Sequence, residues 1–154
     1  MIRLVVAAFL AVFWAIRTAA MTVGFSAANT ANAWLNVLRG TSAATFTGVT
    51  TLFVQLHTGD PGASGTSNVS SVTTRPAVNF AAASAGSQSL TGTQPSWASW
   101  AGTNGEVVTH ISVWGASSAG TFYYSVALTA SKTVNTGDTL TLSTLTVSLT
   151  PIAA

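Results

Sequence analysis

The sequence predicts an all-β fold, an antiparallel β-sandwich of jelly-roll type with one N-terminal amphipathic helix and a separate hydrophobic leader. Three observations carry this. Six or seven short runs alternate apolar and polar side chains, the two-residue period of half-buried strands. Gly, Pro, Asn and Asp punctuate the gaps, and no strand–helix–strand units occur. Only 5% of residues are charged, against about 25% in an ordinary soluble domain. Polarity comes instead from Thr, Ser, Asn and Gln, and β-branched Thr favours strands over disorder.

The 154 residues suffice for one core. They divide into a leader (1–20), a helix with its connection (21–49) and the sandwich (50–154). Residues 4–16 are apolar without a break between Arg3 and Arg17. Three readings of residues 1–20 stand: a secretory signal, a hydrophobic anchor too short for the ~20 residues of a membrane span, or a start misassigned upstream of Met21. Met21-Thr-Val-Gly-Phe reads as the start of a mature chain.

Residues 26–40 read as a helix capped by Ser26 and stopped by Gly40. Ala27, Ala28, Ala31, Trp34, Leu35 and Leu38 share one face, with Asn29, Asn32 and Asn36 opposite, so Trp34 is expected to anchor the helix on a sheet.

The first strand sets the pattern. Leu52, Val54 and Leu56 alternate with Phe53, Gln55 and His57, and Gly59-Asp60-Pro61-Gly62 then forces a turn: proline lacks a backbone donor and Asp60 forms turns through its side-chain oxygen. Residues 63–71 are a Gly/Ser/Asn loop. A strand over 72–80 holds Pro76, which predicts an edge or bulge. A short strand follows at 88–93. Residues 94–105 form a loop holding Trp97 and Trp100. Residues 106–114 give the central strand, with Val107, Thr109, Ile111 and Val113 on one face. Residues 121–129 pair with it as a hairpin, with Phe122, Tyr124, Val126 and Leu128 sharing a face. Residues 132–138 read as a turn-rich connection. The last strand, 139–149, slips phase and needs a bulge or bend near Ser143 and Thr144.

Composition and motifs exclude much chemistry. No cysteine is present, so there is neither a disulfide framework nor a thiolate metal site. Arg39, Arg75 and Lys132 balance Asp60, Glu106 and Asp138, leaving no basic stripe for nucleic acid. A Ser-His-Asp site would draw on His57 or His110 with Asp60 or Asp138, but no Gly-x-Ser-x-Gly elbow occurs. A glycosidase pair would need two of Asp60, Glu106 and Asp138 across a cleft. A zinc site would rest on His57, Asp60 and His110. Structural roles explain these residues more simply, so no catalytic, cofactor or metal residues are assigned and no enzyme is expected. Trp97, Trp100, Trp34 and Tyr123 are the candidate interaction surface. For Trp97 and Trp100 a sugar-stacking platform competes with a plug at one end of the sandwich or a subunit contact.

The stretch Leu56-His57-Thr58-Gly59-Asp60-Pro61-Gly62 resembles the Leu-His-Thr-(Ala/Gly)-Asp-Pro-Gly signature of small tail or tail-fibre-type virion proteins of actinobacteriophages. Residues 75–80 resemble that family's Arg-Gln-x-Val-x-Phe strand, with Pro76 replacing Gln. Residues 108–116 resemble Val-Thr-His-Ile-Gly-Leu-Trp-Asp-Ala, with Ser112 replacing Gly and Gly115 replacing Asp. Residues 128–139 resemble Leu-Thr-Ala-Ser-Lys-x-Val-x-x-Gly-Asp-Thr. The resemblance implies a structural virion protein without catalytic residues. The resulting expectation is a minor tail protein of a siphophage, homo-oligomeric and trimeric, at the tail tip or baseplate. Its partners would be its own copies, other virion proteins and a host-envelope glycan. The alternatives are a capsid decoration protein and a carbohydrate-binding module using Trp97, Trp100 and Tyr123.

Overall fold

A computed structural model of the chain describes residues 23–39 and 48–149. The leader, the Met21 start and the Gly40 stop lie outside the described residues.

Two antiparallel layers enclose the core. One is a four-stranded sheet in the order β2-β1-β5-β6, built from β1 (Leu52–His57), β2 (Ala77–Val78), β5 (Glu106–Trp114) and β6 (Phe122–Val134). The other joins two short pairs: β3 (Ser87–Ser89) with β8 (Thr146–Ser148), and β4 (Ser96–Trp97) with β7 (Leu140–Thr141). Leu90 N–H donates to Leu145 O and Leu142 N–H to Pro95 O, so the pairs run into one another. Regular strand structure lapses over residues 142–145, between β7 and β8, where the phase slip calls for an irregularity.

The register explains the core. Val54 pairs with Val113 and Leu56 with Ile111 across β1 and β5; Ile111 pairs with Val126 and Val113 with Tyr124 across β5 and β6. These rows, with Val78, Val108 and Val134, meet Trp97, Trp100 and Leu145 from the facing layer. Pro76 sits just before the edge strand β2, and its carbonyl still accepts from Val54 N–H, a bond that needs no proline donor.

Beyond the strands expected over 72–80 and 88–93, which shrink to Ala77–Val78 and Ser87–Ser89, three sequence expectations are corrected. In β5 the register jumps from Val108↔Lys132 to His110↔Ala127, leaving residues 128–131 of β6 opposite Thr109. This bulge reverses the strand's phase, so Val108 enters the core and Val107 is exposed. Second, β6 continues to Val134 instead of ending at Thr129, because residues 129–133 hold no Gly, Pro, Asn or Asp; the turn is confined to residues 135–138, closed by Asp138 N–H to Asn135 O.

The third correction concerns the helix. A π-helical turn (Ala27–Ala31) leads into α1 (Asn32–Leu38), and the Ser26 hydroxyl caps Asn29 N–H as expected. Trp34 apart, the apolar stripe does not face the sheet. Ser26 N–H and Thr30 Oγ1 both donate to Tyr123 O, and Asn29 Nδ2 donates to Phe122 O. The β6 edge offers carbonyls, and polar side chains satisfy them better than leucines do. Leu35 and Leu38 therefore point away, 63% and 81% exposed.

Candidate functional site

The reverse face of the four-stranded sheet carries the densest polar cluster. Gln55, Ser112 and Ser125 form one cross-strand row, and His57, His110 and Ala127 the next. Period-2 alternation places these opposite the aliphatic core residues. The face is nevertheless closed: Gln55, His57, Ser112 and Ser125 are all buried. Residues 58–71 lie against it, since a side chain on Gly65 would strike the Phe122 ring and the His57 ring reaches the loop at Ser67.

The hydrogen bonds fix the chemistry. His57 Nδ1 lies 2.8 Å from Ser67 O, and a carbonyl only accepts, so Nδ1 carries the proton. Nε2 is then the acceptor, 2.6 Å from Ser112 Oγ, which donates to it. Trp114 Nε1–H donates to the same Ser112 oxygen at 2.7 Å. The chain Trp114→Ser112→His57→Ser67 thus has one direction. Burial holds the His57 imidazole below the usual histidine range, reinforced by the positive charge of Arg75 and by His110, against the raising effect of its bond to Ser67.

Ser112 and His57 are spaced like a nucleophile and its base, a pairing the sequence reading missed because Ser112 lies 55 residues from His57. The arrangement is not that of a reactive serine. Both side chains are 0% exposed, Trp114 occupies the serine oxygen, and the Nδ1 that a triad offers to a carboxylate faces a carbonyl. The carboxylates serve turns and clamps. Asp60 Oδ1 accepts from Gly62 N–H, Asp138 Oδ2 accepts from Asn135 N–H, and Glu106 accepts from Ser71 N–H and from the Ser71 hydroxyl. Asp60 and Pro61 thus form the turn that the Gly-Asp-Pro-Gly signature predicts, with Pro61 O accepting from Ser67 N–H. Among the described residues, no group of three or more His, Asp or Glu side chains is placed to hold a metal ion.

The candidate interaction residues separate. Trp97 and Trp100 are core residues, 4% and 1% exposed, with indole N–H groups bound to Thr74 O and Thr103 O. Their ring faces are covered, so they form no sugar platform; they seal the layer opposite β5 instead. Tyr123 is half-buried beside Gly115 and packs against the core. Trp34 is half-buried on Phe25, ring centroids 5.2 Å apart, and Phe25 in turn meets Tyr124 edge-on at 5.6 Å. Phe25 thus links Trp34 of the helix to the sheet. It also borders an apolar surface shared with Val37, Leu38 and Leu149.

No curated protein sequence matches the chain. A family model does, over residues 24–150: the family described as podophage GP4 fiber I protein gp80. That description names a podophage fibre, where the sequence resemblance pointed to a siphophage tail. The match spans the helix, both layers and the closed polar face, and the chain belongs to this family of phage fibre proteins.

Proposed function

We propose that the chain is a non-enzymatic structural subunit at the tail tip or baseplate of a tailed phage, assembled as a homotrimer with other virion proteins. One observation carries the assembly reading. The helix binds its own sheet through polar side chains and turns Leu35 and Leu38 outward, and Leu38 adjoins Val37, Trp34 and Leu149. A contiguous apolar surface of this kind marks an interaction site. A chain with 5% charged residues also has little charge to hold its copies apart. The occupant that fits is a second copy presenting the same stripe.

Membership of a phage fibre family supports the tail over the head, and so disfavours capsid decoration. The carbohydrate-module reading loses its main support with Trp97 and Trp100 inside the core. The test is the double substitution Leu35→Glu, Leu38→Glu, followed by sedimentation equilibrium. The expected result is a trimer for the parent and a monomer with an unchanged circular dichroism spectrum for the variant. A parent chain that stays monomeric at the highest soluble concentration overturns the reading.

A further inference from the structure

We propose that His57 is an acid-sensitive catch that holds residues 58–67 closed over the reverse face of the sheet and releases them as the pH falls.

The loop is largely self-contained. Thr58 N–H donates to Asn68 O and Ser70 N–H to Leu56 O at its base. Within it, Gly65 N–H donates to Gly62 O, Ser67 N–H to Pro61 O and Asn68 Nδ2 to Asp60 O. Pro61 is buried, and the far half of the loop meets the sheet through Gly65 against the Phe122 ring and Ser67 O on the His57 ring. The first is a packing contact. The second depends on a group that titrates near neutrality.

Protonation reverses one link of the chain. With Nε2–H formed, two N–H groups, from His57 and Trp114, converge on Ser112 Oγ, and the serine proton loses its acceptor. The new positive charge stands in a closed site. The charged or titratable groups facing it are Arg75, from the segment before β2, and His110, its register partner on β5. Both disfavour it. From the loop, Asp60 directs Oδ1 at Gly62 N–H; Glu106 of β5 is held on Ser71; β6 contributes the uncharged Ser125 and Ala127. The charge is relieved when the loop lifts and the ring reaches water. Lifting also uncovers Ser112, Trp114 and Phe122, a face with two large aromatic rings 5.4 Å apart.

The sign follows from linkage. The closed form binds the proton more weakly than the open form, whose histidine has the ordinary value of 6.5. Closure is therefore fully favoured above 6.5 and is lost as the pH falls from there through the lower closed-state value. Over that window the opening constant rises about tenfold per pH unit.

Hydrogen exchange on the full chain between pH 7.5 and 4.5, corrected for the intrinsic pH dependence of exchange, reads this directly. The expected result is faster exchange in peptides covering residues 58–67 at each step below about 6.5, with β5 unchanged. In His57→Gln the amide can donate to Ser67 O and accept from Ser112 at every pH, so its loop should lose the acid response. Should that variant fail to fold, the His57 ring resonance in the parent serves instead. It is expected to stay in the neutral position until the loop amides open. Loop exchange that does not change with pH, an undiminished acid response in His57→Gln, or a ring that titrates normally under a closed loop each overturns the proposal.

Discussion

The Arg75 guanidinium carbon lies 4.0 Å from the centroid of the Trp114 ring. From this stacked position Nε donates to Gln55 Oε1 at 2.7 Å, and Nη1 donates to Ala119 O at 2.7 Å and Ala116 O at 3.4 Å. One side chain thus ties the segment before β2 to β1 and to the turn after β5. A lysine cannot stack on the ring and reach these acceptors at once. Arg75→Lys is expected to lower stability by about 1 kcal/mol and Arg75→Ala by about 2 kcal/mol in urea titrations, from the lost stacking and charge-assisted bonds.

Glu106 is the second clamp. Its carboxylate accepts from Ser71 N–H at 3.1 and 3.2 Å and from the Ser71 hydroxyl, whose oxygen accepts from Thr103 N–H at 2.8 Å. Glu106→Gln replaces one acceptor by a donor facing a donor. Its expected cost is about 1–3 kcal/mol, that of leaving a buried donor unsatisfied. Chemical denaturation of Glu106→Gln and Ser71→Ala should show both destabilised, with the double variant losing less than the sum because they share one network.

Two glycines separate backbone strain from crowding. Gly65 and Gly92 have φ of +73° and +67°, but a Cβ on Gly65 would meet the Phe122 ring while one on Gly92 meets nothing within 4 Å. Gly92→Ala should cost about 1–2 kcal/mol, that of a left-handed non-glycine residue. Gly65→Ala should cost more, by roughly 1–3 kcal/mol of overpacking. Thermal melts of the two variants side by side give the difference.

Much of this fold is legible in the sequence because its devices are local. The Ser26 cap, the Asp60-Pro61 turn and the break in the last strand near Ser143 each follow from the residues at the spot. What escapes depends on partners far along the chain. Val107 and Val108 are chemically equal, so only the β6 register decides which is buried. The helix stripe looks like a core face until the carbonyls of Phe122 and Tyr123 claim Asn29 and Thr30 instead. Trp97 and Trp100 read as loop residues because β4 is only two residues long, yet its pairing with β7 turns Trp97 inward. The polar cluster around His57 was visible only as separate residues, since Ser67, Ser112 and Trp114 converge on it through tertiary structure alone.

Tyr124 offers a substitution that should stabilise. Among the described residues its hydroxyl has no hydrogen-bond partner although it is buried, and burial raises its ionisation above the usual tyrosine range. Tyr124→Phe removes an unsatisfied polar atom and is expected to gain up to about 1 kcal/mol. The tyrosine also gives an alkaline limit. Stability linked to it is full below the unfolded value near 10 and falls as the pH rises above it. Absorbance at 295 nm should show Tyr124 resisting ionisation until the chain unfolds.

The most direct measurement is an electron density map of the intact phage particle into which these two layers are fitted. The expected result is density for the chain at the tail, repeated about a threefold axis, with Leu35 and Leu38 facing a neighbouring copy. Density for single, separated copies, or for copies spread over the capsid lattice, contradicts it.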